Sequence, residues 1–281
     1  MQHVALDAAT QGFKDALTEA LGDKVQFVEQ NAANDIPTCA TIVNGFVSDG
    51  VDLILANATP ALQAAVAATD SIPILGTAVT EYGVALDIKD FNGTVGGNVS
   101  GTSDLAPLDQ QAAMILELFP DAKKVGILYC SAEPNSVYQS DVVKAELEKS
   151  GVTVSVYTFA DSNDVAAVTA TACDENDVLY IPTDNTAASC TEAINNVAEP
   201  AGVPIIAGEE GICAGCGVAT LSINYYDLGV TTGKMAAKIL TGEANISEMP
   251  IEYFPDPVKK YNPAICEALG ITVPEDYVAI G

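Results

Sequence analysis

Two stretches share one grammar. Asp177-Val178-Leu179-Tyr180-Ile181 ends in Pro182-Thr183-Asp184-Asn185-Thr186, and Asp52-Leu53-Ile54-Leu55-Ala56 ends in Asn57-Ala58-Thr59-Pro60-Ala61. Each is an apolar strand, a polar tip, then helix-forming residues. Further strand ends read the same way: Gly76-Thr77-Ala78, Ser131-Ala132-Glu133-Pro134-Asn135-Ser136 and Gly208-Glu209-Glu210, with Gln2-His3 at the start of the chain. In open parallel sheets ligands sit beyond the carboxyl ends of strands. Helix starts there offer N–H groups and partial positive charge to an anion such as a carboxylate. Asp184 and Glu133 offer negative charge to an ammonium. Together these groups suit a zwitterion, an amino acid. The same residue types also cap helices, so Thr59, Asn185 and Ser136 fit a purely structural role equally.

Catalytic constellations do not assemble. His3 is the sole histidine, so no Ser–His–Asp arrangement can be built. Cys213-Ala214-Gly215-Cys216 is a single CxxC with no second pair and no histidine nearby, a weak metal or redox signal. Its bland reading is a structural cysteine pair, bonded or not. Gly93-Thr94-Val95-Gly96-Gly97 lacks the strand before and helix after that a dinucleotide loop needs. Glu209-Glu210 are adjacent acids, which say little about acid–base work. The expectation is a protein without enzymatic activity, cofactor or metal.

The balance of charge narrows the partners. The 281 residues carry a formal net charge of −27, and every basic side chain is Lys. That excess disfavours nucleic acid, whose phosphates need clustered Lys or Arg. An anionic ligand cannot meet an Arg fork here; it needs Lys, hydroxyls or backbone N–H groups. Hydrophobic residues make up 49% of the chain, enough for well-formed cores. No apolar run reaches the ~18 residues of a membrane span, and no signal peptide is visible. Seven cysteines spread through a long chain are not a disulfide framework.

The elements that must position these tips alternate. Helix is expected over 7–21, strand over 25–28, helix over 38–49 and strand over 51–56. A helix then opens at Thr59-Pro60, with Thr as cap and Pro in the first turn, and a strand covers 72–75. The stretch from Thr80 to Ser103 is Gly-rich and without helical period; it reads as a loop and short strand. Helix 107–119, strand 124–129, helix 135–149, strand 153–157, helix 163–173, strand 178–181, helix 186–198 and strand 204–207 follow. Beyond them come strand 218–223, helix 226–241, a strand near 251–254 and a short helix near 263–269. Alternating strands and helices imply parallel sheets covered on both faces, in two similar series: an α/β chain of two doubly wound lobes. Such a lobe usually opens on a central strand, whereas the first helix here begins near Asp7. The first strand of lobe one is therefore expected to be missing.

The order of motifs resembles the substrate-binding proteins of ABC importers, in particular the tryptophan/tyrosine-type family of Gram-positive bacteria. The matching residues are His3-x-Ala5-Leu6-Asp7, Ala9-x-x-Gly12-Phe13, Ala56-Asn57-Ala58-Thr59-Pro60-Ala61, Gly76-Thr77-Ala78-Val79 and Gly101-Thr102-Ser103-Asp104. They continue through Val125-Gly126-Ile127-Leu128-Tyr129, Glu133-x-Asn135-Ser136, Pro182-x-Asp184-Asn185 and Tyr225-Tyr226-Asp227-Leu228-Gly229. The resemblance implies the type I periplasmic-binding fold, with lobe one from residues 1–102 plus 224–248 and lobe two from 103–223 plus 249–281. It implies capture of a small zwitterionic solute, an aromatic or other apolar amino acid first, in the cleft between lobes. The contacts it implies are Asn57, Thr59, Thr77 and Ala78, then Ser131, Glu133, Asn135, Ser136, Asp184, Asn185 and Glu209, with Tyr225 or Tyr226. Asp184 would take the ammonium, and hydroxyls and helix-start N–H groups the carboxylate. Partners would be ABC permease subunits, at an extracytoplasmic site reached through a lipid anchor. A sensor or regulator domain of the same fold, or a nucleoside-like solute, stays open as the alternative reading.

Overall fold

The computed structural model describes residues 3–33, 35–254 and 256–281. The chain divides into two compact units, Met1–Leu105 with Asn224–Pro255 and Ala106–Ile223 with Asp256–Gly281. In chain order the first unit contributes α1 (Val4–Leu21), α2 (Ile36–Asp49), β1 (Ile54–Asn57), α3 (Thr59–Ala68), β2 (Ile74–Val79), α4 (Tyr82–Ala85) and β3 (Val99–Ser103). The second follows with α5 (Leu108–Leu118), β4 (Lys124–Cys130), α6 (Pro134–Lys149), β5 (Thr153–Phe159), α7 (Val165–Glu175) and β6 (Val178–Ile181). It continues through α8 (Asn185–Ser189), α9 (Thr191–Ala201), β7 (Ile205–Ala207), α10 (Glu210–Cys216) and β8 (Ala219–Ser222). The chain returns to the first unit for α11 (Tyr225–Leu240) and β9 (Glu252–Tyr253), and to the second for β10 (Val258–Tyr261), α12 (Pro263–Leu269) and β11 (Val278–Ala279).

Among the described residues the first unit's sheet runs β1-β2-β3-β9, all parallel, and the second's β11-β10-β8-β7-β6-β4-β5, parallel except for the β8–β10 pair. Strand β4 is buried along all but its first residue and β6 along its whole length. Continuous burial of this kind is what two helical layers impose on a parallel strand, and it explains the near-unbroken apolar runs. One core of the second unit gathers Leu128, Leu179, Ile181 and Ile205 with helix residues such as Ala172 and Ile194.

The first unit depends on a close helix pair. Helix α11 lies against α1 so tightly that a Cβ added at Gly12 would overlap the Tyr226 carbonyl oxygen, and one at Gly229 the Ala9 carbonyl oxygen. A Cβ at Gly233 would stand 2.7 Å from the Phe13 carbonyl oxygen. All three obstacles are backbone, so none can turn aside. Glycines also admit Tyr82 over the sheet: its hydroxyl lies against Gly76 and Gly101 and donates to the Thr102 carbonyl at 3.1 Å.

Several sequence expectations change. Residues 25–28 form no strand, because a strand needs a neighbour's ladder and none among the described residues reaches them. They flank a groove of about 1330 Å³ whose other wall is β1, lined by Phe13, Leu17, Phe27, Phe46 and Leu55. Among the described residues strand β1 pairs with β2 alone. The expected helix 186–198 is two, α8 and α9, meeting at Cys190. The Gly-rich stretch holds the short helix α4 as well as β3. Cys213 and Cys216, whose bonding the sequence left open, lie on α10 as free thiols. Their buried Sγ atoms donate to the Gly217 and Ile212 carbonyls, and burial pushes both thiols up, away from reactivity.

Replacing Gly229 by Val should destabilise the protein by about 3 kcal/mol or more, since the overlap falls on backbone. Replacing Gly45, inside α2 with open space where its Cβ would stand, by Ala should stabilise it by ~0.5–1 kcal/mol. Urea unfolding of the two variants against the parent checks both signs.

Candidate functional site

In the second unit the strand-end carboxylates satisfy helix starts. Asp184 is the N-cap of α8: Oδ1 accepts from the Ala187 N–H at 2.7 Å. Its Oδ2 accepts from the Cys130 N–H at 2.8 Å and the Ser136 hydroxyl at 2.7 Å, which ties the end of β4 and the first turn of α6 to the end of β6. Glu133 precedes α6 and reaches across to α8. Its Oε2 accepts from the Asn185 backbone N–H at 2.9 Å and side-chain amide at 2.7 Å. Its Oε1 accepts from the Thr186 N–H at 2.8 Å and hydroxyl at 2.7 Å. Asn135 donates to the Thr183 carbonyl at 2.9 Å, while its own Oδ1, buried, has no partner. Gln139, not singled out from the sequence, clamps Thr183 by accepting from its N–H and donating to its carbonyl.

These contacts bring Glu133, Asn135, Ser136, Asp184 and Asn185 into one buried network. Burial, followed by the Glu133 charge, raises the Asp184 carboxyl well above the usual range, and three hydrogen bonds pull against that shift. Ser131 stays exposed beside the network, its hydroxyl on the Phe159 carbonyl at 3.3 Å. Glu209 is apart from it. It caps α10, accepting from the Gly211 and Ile212 N–H groups.

The first unit handles its strand ends differently. Thr59 is not the N-cap of α3 but its first residue, with Pro60 second; the cap position belongs to Ala58, which carries no side-chain hydrogen bond. Ala58 has φ 80° and Ala78 φ 50°. Residues with a Cβ occupy such backbone only under strain that the surroundings enforce. The Ala58 N–H donates to the Thr77 carbonyl, so the two strained tips are neighbours. Asn57 donates to the Leu6 carbonyl and the Thr10 hydroxyl, both at 2.9 Å, anchoring β1 to α1. Thr77 is fully buried and bonds Thr102 and Thr232 in a closed triangle of hydroxyls, 2.8–3.2 Å on a side.

Tyr225 and Tyr226 separate. Tyr226 is exposed and donates to Asp15 on α1 at 2.9 Å. Tyr225 is buried and donates to Asp104, just past the end of β3. Asp104 belongs to the motif Gly101-Thr102-Ser103-Asp104, but the sequence gives it no ligand role because only a short strand is expected before it, within 80–103. Of the two residues at the start of the chain, His3 is the N-cap of α1, and Gln2 lies outside the described residues.

A family model described as ABC transporter substrate binding protein matches residues 1–280. The chain belongs to that family. A tyrosine-binding protein of Clostridioides difficile is 38% identical over 254 residues, 89% of this chain and 73% of the relative. The crystal structure of an ABC domain in complex with L-Trp from Streptococcus pneumonia superposes with a TM-score of 0.94 at 33% identity, covering 100% of this chain and 97% of that one. The leucine-binding protein LivK of Thermotoga maritima shares the fold at a TM-score of 0.62 and 15% identity, covering 86% and 80%. The architecture is thus the type I periplasmic-binding one. As a substrate-binding component the family member takes a small-molecule ligand, works with ABC permeases and acts outside the cytoplasm. No helix among the described residues is long and apolar enough to cross a membrane.

The raised carboxyl of Asp184 makes a testable statement about stability. Its folded-state value lies above the ordinary 3.8, so the penalty of the buried charge is full above that folded value and fades as pH falls toward 3.8. Asp184→Asn should destabilise the protein by loss of acceptors for Cys130 and Ser136. It should also flatten the rise in stability with falling pH, read as the difference between variant and parent in urea midpoints across that range.

Proposed function

We propose that this protein captures an L-amino acid with an aromatic side chain and presents it to an ABC permease, held at the extracytoplasmic face by a lipid anchor. One observation carries the reading: the whole chain superposes on the L-Trp complex, at an identity that far exceeds fold-level likeness. The tyrosine-binding relative points to the same ligand class. In the first unit the start of α3 is suited to the ligand carboxylate. Its first turn is uncapped, and the strained Ala58 aims the chain into the helix with backbone N–H groups unclaimed by side chains. With no Arg in the chain, N–H groups and hydroxyls are the carboxylate's natural partners. Of the remaining candidates, Asn135 keeps a buried Oδ1 without a partner and Ser131 an exposed side chain, whereas Thr77, Glu133 and Asp184 are engaged by their own units and would act by shaping the tips.

Thermal unfolding in the presence of L-tyrosine, L-tryptophan, L-phenylalanine, L-leucine and uridine tests the reading. The aromatic L-amino acids should raise Tm by several degrees at concentrations about 100-fold above Kd, with D-enantiomers and uridine inert. A shift with uridine alone, or with none of the amino acids, would sink it.

A further inference from the structure

Buried carboxylates at strand ends divide three to one. Asp184 accepts three hydrogen bonds, Glu133 accepts from Asn185 and Thr186, and Glu209 caps α10. Asp104 differs. It follows β3 and is 3% exposed. Its Oδ2 accepts from the Tyr225 hydroxyl at 2.9 Å, and its Oδ1, equally shielded, has no partner. The Thr80 hydroxyl and Asp104's own backbone N–H temper its raised carboxyl without closing a hydrogen bond on Oδ1. None of the ion pairs among the described residues reaches it.

Protonation does not resolve this. Burial favours the neutral acid and so removes the charge, but it still leaves Oδ1 without a hydrogen-bond partner. A hydrogen-bonding cation satisfies the group in full, and burial makes the pairing strong when the cation brings its own donors. A primary ammonium carries three N–H donors in a compact head. Tyr225 meanwhile fixes the carboxylate's rotation by holding Oδ2. Tyr225 is itself fixed as the first residue of α11, a helix capped by the Asn224 side chain and packed on α1.

We propose that Asp104 Oδ1 is the acceptor for the ligand's ammonium, with Tyr225 as the residue that positions it. This rests on the amino-acid reading above and moves the ammonium role from Asp184, whose oxygens are occupied, to Asp104. It also fixes the specificity: a solute lacking the amine leaves Oδ1 open and binds poorly whatever its ring.

The test is calorimetric titration of L-tyrosine and its des-amino analogue, 3-(4-hydroxyphenyl)propionate, into the parent, Asp104→Asn and Tyr225→Phe. The parent should prefer L-tyrosine over the analogue by about 100-fold, the scale of a buried charge pair. Asp104→Asn should lose that preference, binding the analogue within about threefold of the parent while L-tyrosine falls by about 100-fold. Without ligand its Tm should equal or exceed the parent's, because a buried charge has gone. Tyr225→Phe should lower L-tyrosine affinity by about tenfold and analogue affinity less. It also keeps the test decisive if Asp104→Asn folds poorly. Asp104→Asn that retains L-tyrosine affinity, or loses both ligands alike, overturns the assignment while leaving the amino-acid reading intact. A parent that binds no aromatic amino acid overturns both.

Discussion

Most parallel strands here hand the chain to a helix whose first-turn N–H groups have no partner within the helix. How those groups are met decides what every strand end can do. In the second unit acidic side chains meet them: Asp184 serves α8, Glu209 serves α10, and Glu133 crosses from the start of α6 to serve α8 as well. The dipoles of these helix starts are thereby neutralised from inside. In the first unit α3 has no such side chain, and the backbone at Ala58 and Ala78 is held out of its preferred range instead. Such strain costs stability, so the packing around these neighbouring tips must enforce it.

That geometry needs a stiff support, and the α1–α11 pair supplies it. Gly12, Gly229 and Gly233 bring the two backbones together without intervening side chains, and the hydroxyl triangle of Thr77, Thr102 and Thr232 joins α11 to β2 and β3. Segments more than a hundred residues apart in sequence thus form one body. Tyr225 stands at the head of this body, which is why its hydroxyl can hold Asp104 in a fixed orientation.

Much of this was legible in the sequence. Apolar runs followed by polar tips gave the parallel strands and their ends, because both faces of such a strand are covered and only its end meets a polar environment. Long helices such as α6 and α11 were plain from their period. What escaped detection were features that depend on neighbours. Residues 25–28 have strand composition but no ladder. Ala58 takes the cap position from Thr59 because the chain turns through strained backbone one residue earlier than propensity suggests. Asp184 looks like an open carboxylate in one dimension, and only the fold brings Cys130, Ser136 and Ala187 to it. Asp104, just past a Gly-rich stretch, is the reverse case: an acid given no role from the sequence, whose Oδ1 the fold leaves without a partner.

The contact of α1 with α11 has a consequence for the order in which the chain can fold. Helix α11 begins only at Tyr225, after the central strands and helices of the second unit, so the glycine face of α1 waits for a partner that comes late in synthesis. Contacts of such sequence separation carry a large loop-closure cost. The second unit can lay down most of its sheet beforehand, and the first closes when the returning helix docks.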